Sequence, residues 1–528
     1  MSRMVSRFYL VPLLLLLAIW SGHFIQQGSF DIDGERYYSL FDDGMISMTY
    51  AKNLTQGHGL NWAKFGDPVE GFSSPLWTFL MVPFQLLPIA WSKVSLVFAI
   101  FCAGILGLNI VVLNRILHLR LGIESVLPRI AATFSLAFLY PLNFWSLVGM
   151  ECGPQVLLFL LGIDQFLAFE AQHQTKHLHR LGLVLAAALL LRMDMVFFVG
   201  LTILFLAPWL IRHRKEALKF LLIAGGPMAI YLVFRLVYFH DFFPNTYYLK
   251  LYKIPLDIRI DRAWFHFKVW AEPLWLVWVL LPLMMIPLRK NKAMWLSLAL
   301  IVTYLAYNLY AGGDAWEESG VGANRFTIIT LPWVLLILTA GGYEWTKRLK
   351  GATGMVLKNA LPTLASLLVF VLINGLMFVG KFDAHWQRFW VKEPPYNSQY
   401  QMWNVMKALE VNRSFGTANR VAVVQAGDLG YFSNCELVDV LGYNNREIAR
   451  LAPYWDLRST PADFYIPGHT KVDYRHVIAD LQPDCLLDRW LRHSPSIAYE
   501  CDSLLLAHDY APRPQGGWLK KDFVRRDK

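Results

Sequence analysis

Phe41-Asp42-Asp43-Gly44-Met45-Ile46 places two adjacent carboxylates between the first apolar segment of the chain and the next one. Two carboxylates at a membrane boundary repel each other, and removing them from water costs free energy. Hydrophobic packing therefore gives no reason for this pair, whereas proton transfer and cation binding both use carboxylates. The alternative is structural: an Asp-Gly turn begins a surface helix, whose dipole favours acidic residues. A short amphipathic helix capped by the pair is predicted by the helical spacing of Met45, Met48, Ala51 and Leu54.

The composition of the chain indicates a polytopic membrane protein with a soluble portion. Of its 528 residues 55% are hydrophobic, the mean hydropathy is +0.37, and there are 35 Phe, 20 Trp and 23 Tyr. A soluble protein of this length is rarely so apolar. The net charge of +10 comes from Lys and Arg in short clusters between apolar segments. This pattern is typical of cytoplasmic loops beside anionic lipid and does not indicate nucleic-acid binding.

The basic clusters predict the topology. The segment from Leu76 to about Leu87 is apolar but short, and Pro83 interrupts it. If this segment crossed the membrane, clusters such as Arg212 to Lys219 would fall outside. If it lies on the outer surface, every basic cluster falls inside, which the positive-inside rule favours. With the amino terminus inside, the sequence predicts about eleven transmembrane helices, over residues 8–26, 92–114, 127–147, 152–170, 178–192, 195–211, 218–238, 268–287, 293–311, 326–345 and 358–379.

A polar tail follows the last predicted span. The sequence therefore predicts a transmembrane domain over residues 1–379, with juxtamembrane helices in a first outer loop over about 27–91, and an extracytoplasmic α/β domain over 380–528. In the tail, apolar runs such as Arg420 to Val424 predict buried strands that alternate with helices.

The five cysteines are too few for a disulfide framework. Cys485 and Cys501 both lie in the tail and are a candidate pair if the tail faces an oxidising compartment. No Cys or His spacing matches a zinc site.

The predicted topology gathers the unusual polar residues on the outer side. Each has a structural alternative: Arg192 and Asp194 as an interfacial ion pair, Lys250 as a snorkelling side chain, Asp314 as part of a turn. Together they favour a site for a lipid-linked anionic substrate, where cations hold a phosphate or pyrophosphate, a carboxylate acts as general base and aromatic rings contact a sugar. With the acidic pair, this outer set comprises Glu151, Arg192, Asp194, Asn245, Tyr247, Lys250, Asp314, Trp316 and Arg325.

The motifs of this set resemble those of the GT-C superfamily of glycosyltransferases that use polyprenyl-phosphate sugars. The chain is similar in particular to the mycobacterial terminal arabinofuranosyltransferase family, which adds β-(1→2) arabinofuranose, and to its bacterial relatives. The motifs that carry the resemblance are Asp42-Asp43-Gly44-Met45-Ile46, Tyr50-Ala51-Lys52-Asn53-Leu54, Gly57-His58-Gly59-Leu60, Glu70-Gly71-Phe72-Ser73-Ser74-Pro75, Gly149-Met150-Glu151, Pro244-Asn245-Thr246-Tyr247-Tyr248-Leu249-Lys250, Gly312-Gly313-Asp314, Arg325-Phe326 and, in the tail, Ala426-Gly427-Asp428-Leu429-Gly430-Tyr431.

The resemblance implies an inverting transfer of a sugar, with arabinofuranose favoured, from a polyprenyl phosphate to a hydroxyl of a glycan, lipid or pilin-like protein at the outer face of the bacterial cytoplasmic membrane. Asp42 would be the general base. Asp43 would be its companion and would orient the acceptor or help to bind a divalent cation such as Mg²⁺ or Mn²⁺. Arg192, Lys250 and Arg325 are the candidates for the donor phosphate. Sugar, acceptor or other substrate contacts are expected from His58, Glu70, Glu151, Asp194, Asn245, Tyr247, Asp314 and Trp316.

Other functions remain open at the level of sequence. Within the same class, the donor could carry a hexose such as mannose. A transporter or flippase of lipid-linked substrates is a second possibility, but the predicted spans carry almost no charge and no inverted repeat with interrupted helices is found. A receptor-like binding protein would leave the acidic pair unexplained.

Overall fold

A computed structural model describes residues 8–317, 324–347, 351–375, 387–461, 464–490 and 495–527. The first part of the chain is helical, apart from a short hairpin of strands β1 (Phe30–Ile32) and β2 (Glu35–Tyr37). Its helices are α1 (Leu10–Gln27), α2 (Asp42–Thr55), α3 (Pro75–Gln85), α4 (Trp91–Arg115), α5 (Val126–Ala137), α6 (Tyr140–Leu147), α7 (Cys152–Gln172), α8 (Thr175–Leu191), α9 (Val196–Arg212), α10 (Arg214–Tyr238), α11 (Asn245–Lys250), α12 (Leu256–Ala271), α13 (Trp275–Met285), α14 (Lys292–Ala311), α15 (Arg325–Ile328), α16 (Leu331–Thr346) and α17 (Gly351–Gly375).

The predicted class of polytopic membrane protein is confirmed. Within the described residues, nine helical segments are long and apolar enough to cross a membrane, and the count is ten if α5 and α6, which are bent by 47° at their junction, form one broken span. The eleventh predicted span corresponds to α8, which has 17 residues and a length of about 25 Å. The end of the last predicted span, residues 376–379, lies outside the described part.

Helix α8 returns the chain to the side from which α7 departs. Arg192, directly after α8, lies 3.4 Å from Glu151, which precedes α7. Helix α3 has 11 residues and a length of about 16 Å, which is too short to span a bilayer. The side chain of Gln85 at its end accepts a hydrogen bond from Tyr431 in the tail, so α3 lies at the tail side of the membrane part, as the sequence predicts.

The two ends of the helical bundle carry different charged groups. At the end remote from the tail, Asp164 pairs with Arg115 and Arg120, and Glu170 pairs with Lys292. At the other end lie the acidic pair and the residues predicted to accompany it. Their mutual contacts confirm that they share one side of the bundle.

The predicted α/β tail is confirmed. Within the described residues it forms a five-stranded sheet of order β4-β3-β5-β7-β6, in which β4, β3 and β5 are parallel and β7 and β6 are antiparallel. Its elements are α18 (Ser398–Ser414), β3 (Arg420–Val423), α19 (Asp428–Phe432), β4 (Glu436–Asp439), α20 (Arg446–Ala449), β5 (Cys485–Leu486), α21 (Pro495–Ala507), β6 (Tyr510–Pro512) and β7 (Trp518–Lys520).

The predicted disulfide between Cys485 and Cys501 is wrong, because both thiols are free and buried. Cys485 lies in the central part of the sheet, where its Sγ accepts a hydrogen bond from Arg513, and Cys501 lies in α21. The position of the predicted domain boundary, residues 379 and 380, falls outside the described residues.

The tail domain is docked on the first loop and on α11 through buried polar contacts. The amide of Asn245 donates to the carbonyls of Gly442 and Tyr443, at 2.8 and 2.9 Å. The indole of Trp62 donates to the carbonyl of Ala426 at 2.9 Å, and the ammonium of Lys52 donates to the carbonyl of Tyr431 at 2.6 Å. Because each of these donors is buried, separating the two parts would leave it without a partner.

Glu70 forms a buried ion pair with Arg235 near the end of α10. The Nε atom of Arg235 lies 2.5 Å from Oε2 of Glu70, and Tyr231 donates to Oε1 of Glu70 at 2.7 Å. Glu70 and Arg235 are 2% and 0% exposed. The backbone N–H of Asn245 donates to the Glu70 carbonyl, so the pair also fixes the start of α11. This arrangement makes Glu70 a residue that joins the first loop to α10.

We predict that Glu70→Ala lowers the free energy of unfolding by about 3–5 kcal/mol, because it leaves the Arg235 charge buried without a partner. Unfolding of the purified protein in mixed detergent measures the change. The matched control is Glu216→Ala, which breaks the exposed pair with Lys219 and should lower the free energy of unfolding far less, because water screens an exposed ion pair. Equal losses in the two variants would contradict a structural role for Glu70.

Candidate active site

The acidic pair forms the first turn of α2, as its sequence predicts. Phe41 precedes the helix with extended backbone, and its N–H donates to the carbonyl of Val148 at 2.9 Å. This contact sets the start of α2 against the turn between α6 and α7. Acidic side chains at a helix amino terminus are favoured by the dipole, so the capping role and a chemical role are compatible here.

Asp42 is enclosed by the tail domain. The N–H of Asp428 donates to Oδ1 of Asp42 at 3.3 Å. A Cβ atom at Gly427 would overlap the backbone oxygen and the carboxylate of Asp42, so only glycine allows this approach. Burial and the neighbouring Asp43 raise the pKa of Asp42 to about 7. Hydrogen bonds from the backbone N–H groups of Asp428 and Gly427 lower this pKa, but by less than burial and Asp43 raise it. A carboxyl group that titrates near neutrality is suited to accept a proton.

Asp43 is held by Arg325, which also holds Asp314. Nη1 of Arg325 lies 2.9 Å from Oδ2 of Asp43. Its Nε lies 2.7 Å from Oδ2 of Asp314, and its Nη2 lies 2.7 Å from Oδ1 of Asp314. The guanidinium also lies over the ring of Trp145, 5.3 Å from the ring centre. Burial raises the pKa of Asp314, but Arg325 outweighs it and brings that pKa down to about 2. Asp43, Arg325 and Asp314 therefore form a charged group with two carboxylates on one cation.

A second group of the same kind lies beside the first. Arg192 makes hydrogen bonds to Asp194, the shortest of them 2.9 Å, and lies 3.4 Å from Glu151. Both carboxylates are buried, and the guanidinium packs over the ring of Phe326 at 5.6 Å. Arg192 and Asp194 thus form the ion pair that is the structural alternative for them, and Glu151 also contacts Arg192.

Lys250 is the cation that differs from these two arginines. Within the described residues, its ammonium forms no ion pair with a carboxylate, and its contact is with the ring of Tyr443, 5.6 Å from the ring centre. Burial lowers the pKa of Lys250, and the fields of Asp43 and Asp314 oppose this. Its charge is therefore available to an anion.

Two cavities lie on this side of the bundle, and Ala315 lines both. The first has a volume of about 320 Å³, lies between the bundle and the tail domain and is lined by both aspartates of the pair, with Trp316 on its wall. The second has about 640 Å³ and is mostly apolar. Its apolar wall includes Leu189, Val196, Phe197, Met228, Leu232 and Phe243, and its polar end consists of Arg192, Asp194, Tyr247, Lys250 and Asp314.

Three predicted site residues lie elsewhere. Glu70 and Asn245 are occupied by the structural contacts described above, with Arg235 and with the tail domain. His58 is exposed and follows the carboxyl end of α2, a helix of 14 residues, which places it about 20 Å from the acidic pair. The spacing of these residues in their motifs does not reveal that they serve the interface or the surface.

The tail contributes residues that the sequence did not single out for the site. Asp428 contacts Asp42, and the first cavity is also lined by Tyr396, Tyr400, Gln425, Tyr443, His469 and Trp490. The position of the Gly427-Asp428 motif directly after a predicted strand is a sequence signal for Asp428. The aromatic residues are dispersed over about a hundred positions, so no local pattern could bring them together.

The acidic pair does not fit a divalent cation well. One carboxylate oxygen of Asp43 is already paired with the Arg325 guanidinium, at 2.9 Å. In the described part of the chain, no group of three or more His, Cys, Asp or Glu residues is placed to hold a metal ion. We therefore assign no step to a metal.

The comparisons with known proteins define the fold. Residues 387–520 match the family described as "Domain of unknown function (DUF8728)". No curated protein matches the chain. The crystal structure of ArnT from Cupriavidus metallidurans in the apo state is similar over 87% of this chain and 90% of that chain, with a TM-score of 0.50 and 9% sequence identity. At this identity the likeness shows the fold alone. The chain is a polytopic α-helical membrane protein that shares the fold of this structure and has a C-terminal, sheet-containing domain.

The raised pKa of Asp42 predicts how stability depends on pH. An acid whose pKa is raised by folding binds its proton more tightly in the folded state, so its contribution is complete at low pH and is lost as pH rises from about 4 through about 7. We predict that the wild-type protein loses more thermal stability across this interval than Asp42→Asn, which has no proton to release. Thermal unfolding in one detergent from pH 4 to pH 8 measures this.

The control for this experiment is Asp33→Asn, since Asp33 is exposed and lies in the hairpin. Its curve should follow that of the wild type. Parallel curves for the wild type and Asp42→Asn would contradict the raised pKa.

Proposed function

We propose that the protein is an inverting glycosyltransferase that moves a sugar from a polyprenyl-phosphate donor to a hydroxyl acceptor, with arabinofuranose as the favoured sugar. The observation that carries this proposal is that Ala315 lines both cavities. The apolar groove formed by the second cavity has Lys250 in its wall, and the first cavity contains Asp42 and Asp43. A lipid-linked sugar has the same order of parts: an apolar chain, a phosphate and a polyhydroxyl group.

The apolar groove suits the prenyl chain of the donor. Its wall comes from α8, α9 and α10 and from the loop that follows α10, and its lining is mainly hydrocarbon. A prenyl chain bound in this groove would contact the protein in place of the surrounding lipid, and its phosphate would lie at the polar end of the groove. The apolar wall alone would also accept other lipids, so selectivity must come from the polar end.

Lys250 is proposed as the main ligand of the donor phosphate. Arg325 and Arg192 each already face two carboxylates, so their charge is more than balanced. An added phosphate would therefore gain little from them. Lys250 has no such balance and lines the groove near Asp314, where it would receive the phosphate and stabilise the charge that develops on it as the sugar leaves.

Asp42 is proposed as the general base. Asp43 is paired with Arg325, whereas Asp42 faces backbone N–H groups and has a pKa raised to about 7. Asp42 takes the proton of the acceptor hydroxyl while the oxygen forms a bond to the anomeric carbon. The bond from that carbon to the phosphate oxygen breaks, its electron pair leaves with the polyprenyl phosphate, and the configuration inverts.

The sequence is the basis for two parts of the proposal: the side of the membrane on which the site lies and the identity of the sugar. The positive-inside rule places the site end of the bundle at the outer face of the cytoplasmic membrane. The choice of arabinofuranose over a hexose such as mannose rests on the motif resemblance. Transfer from a panel of polyprenyl-phosphate sugars, each presented to the purified protein with glycan, lipid and peptide acceptors, identifies donor and acceptor.

We predict that Asp42→Asn lowers the rate of transfer by roughly 10²- to 10⁴-fold, the usual contribution of a general base. The wild-type rate should rise with pH and level off above an apparent pKa near 7, because the base must be deprotonated. Release of polyprenyl phosphate and formation of glycoside, followed by mass spectrometry, measure both. Asp33→Asn should keep the wild-type rate, and full activity of Asp42→Asn would refute the assignment of the base.

We predict that Lys250→Met raises the KM for the donor by roughly ten- to a hundredfold, the value of a hydrogen bond to a charged group. The matched control is Lys253→Met, since Lys253 is exposed and close in sequence. Initial rates over a range of donor concentrations separate KM from kcat. The same KM in both variants would show that the phosphate binds elsewhere.

A further inference from the structure

The cavity that contains the acidic pair is built by both parts of the protein. One wall comes from α2 and from Ala315 and Trp316 of the bundle, and the opposite wall comes from the tail domain, with Gln425 at the end of β3 and Trp490 after β5. Its volume of about 320 Å³ lies at the lower end of the range of small-molecule sites, roughly 300–1,000 Å³. The prenyl chain of a donor would lie in the other cavity, so this one has room for a second ligand.

The charge of the cavity selects against anions. Two carboxylates line it, and among the described residues that form its wall there is no Lys or Arg. A ligand with a phosphate or carboxylate would lose its hydration and meet like charges, which costs free energy. An uncharged polyhydroxyl ligand avoids this penalty and offers hydroxyl donors to the acids.

Aromatic rings dominate the remainder of the wall. His469 is their centre: its ring lies 5.3 Å from that of Trp490, 5.9 Å from that of Tyr443 and 6.2 Å from that of Trp316. Trp490 is fixed in place, since its indole donates to the carbonyl of His469 at 3.0 Å. Such rings present large apolar faces, and their polar groups lie at the edges. A sugar ring can pack its C–H face on them while its hydroxyl groups reach polar partners at the rim.

Gln425 supplies an acceptor atom that the protein does not satisfy. Its Nε2 donates to the hydroxyl of Tyr400 at 2.6 Å. Its Oε1 is buried and has no hydrogen-bond partner among the described residues. A buried carbonyl oxygen without a partner is unfavourable, so a ligand hydroxyl that donates to it would be bound with a gain.

We propose that this cavity is the acceptor subsite, that it binds an uncharged glycan terminus, and that the tail domain supplies its recognition surface through Trp490, His469 and Gln425. The proposal rests on the proposed function in that it gives the acceptor of the same reaction. The glycan hydroxyl that faces Asp42 would be the one that receives the sugar. The tail domain would then determine acceptor choice, while α8, α9 and α10 would bind the donor.

The test is a binding experiment that needs no donor. The full-length protein in lipid nanodiscs is titrated with methyl-capped, uncharged di- to tetrasaccharides of arabinose, mannose and galactose, and binding is followed by calorimetry. The comparison ligands are the same oligosaccharides ending in a uronic acid, and a Ser/Thr-rich peptide. We expect at least one uncharged oligosaccharide to bind, and its uronic-acid form to bind at least about tenfold more weakly.

Variants locate the binding. Trp490→Ala and Gln425→Ala should each weaken binding of the uncharged oligosaccharide by about five- to tenfold, the value of one lost ring contact or hydrogen bond. Trp403→Ala is the matched control, since Trp403 is 51% exposed on α18 and does not line the cavity. Gln425→Ala keeps the experiment decisive if Trp490→Ala lowers the melting temperature of the protein.

Three results would overturn the proposal: no uncharged oligosaccharide binds, the uronic acids bind as well, or the peptide binds in their place. Equal binding by Gln425→Ala and Trp403→Ala would also overturn it. These outcomes are separate from the proposed function, which fails if no polyprenyl-phosphate sugar is consumed by the wild-type protein, whatever binds to the cavity.

Discussion

Arg325 is the charge on which the arrangement of the site depends. One guanidinium contacts Asp43 on α2 and Asp314 in the loop after α14, and it lies over Trp145 on α6. Three separate segments of the bundle are thus joined at one buried cation. Without it, two carboxylates would be left without a partner in a site that excludes water, which proteins avoid at a cost of several kcal/mol. The position of α2, and hence of Asp42, follows from this contact.

The same contact separates the roles of the two adjacent aspartates. Arg325 pairs with Asp43, while Asp42 faces the Gly427-Asp428 backbone of the tail domain and has a raised pKa. Asp428 itself is buried, and burial with the nearby Asp42 raises its pKa well above the usual range. Adjacent residues of one type therefore differ in chemistry because opposite parts of the protein surround them. Lys250 completes the division, as a cation that carboxylates do not balance.

Much of the fold was predictable from sequence, because it depends on the length of the apolar segments and on the positions of the basic clusters between them. The predicted spans correspond to observed helices, and the rule that basic clusters lie on one side brought Asp42, Glu151, Arg192 and Asp314 to one end of the bundle, where they are found. Strand patterns predicted the α/β tail. The short α8 shows where the hydropathy signal is weakest.

The partners of the polar residues could not be predicted in the same way. The pair of Glu70 with Arg235 joins positions 165 residues apart, and the contact of Asp428 with Asp42 joins positions 386 apart. Arg235 also lies within a helix that the apolar pattern marks as a span, so its charge indicates a buried partner, but the pattern does not identify that partner as Glu70. Whether a polar residue of a sequence motif binds substrate or holds two segments together depends on such long-range contacts, which local patterns do not contain.

A cryo-electron microscopy structure of the full-length protein with a non-transferable polyprenyl-phosphate sugar is the most direct measurement of these roles. We expect the prenyl chain to lie along Phe197 and Met228, the phosphate to lie within hydrogen-bond distance of the Lys250 ammonium, and the anomeric carbon to face the cavity of Asp42. A phosphate bound away from Lys250, or a sugar separated from Asp42 by the tail domain, would contradict these roles.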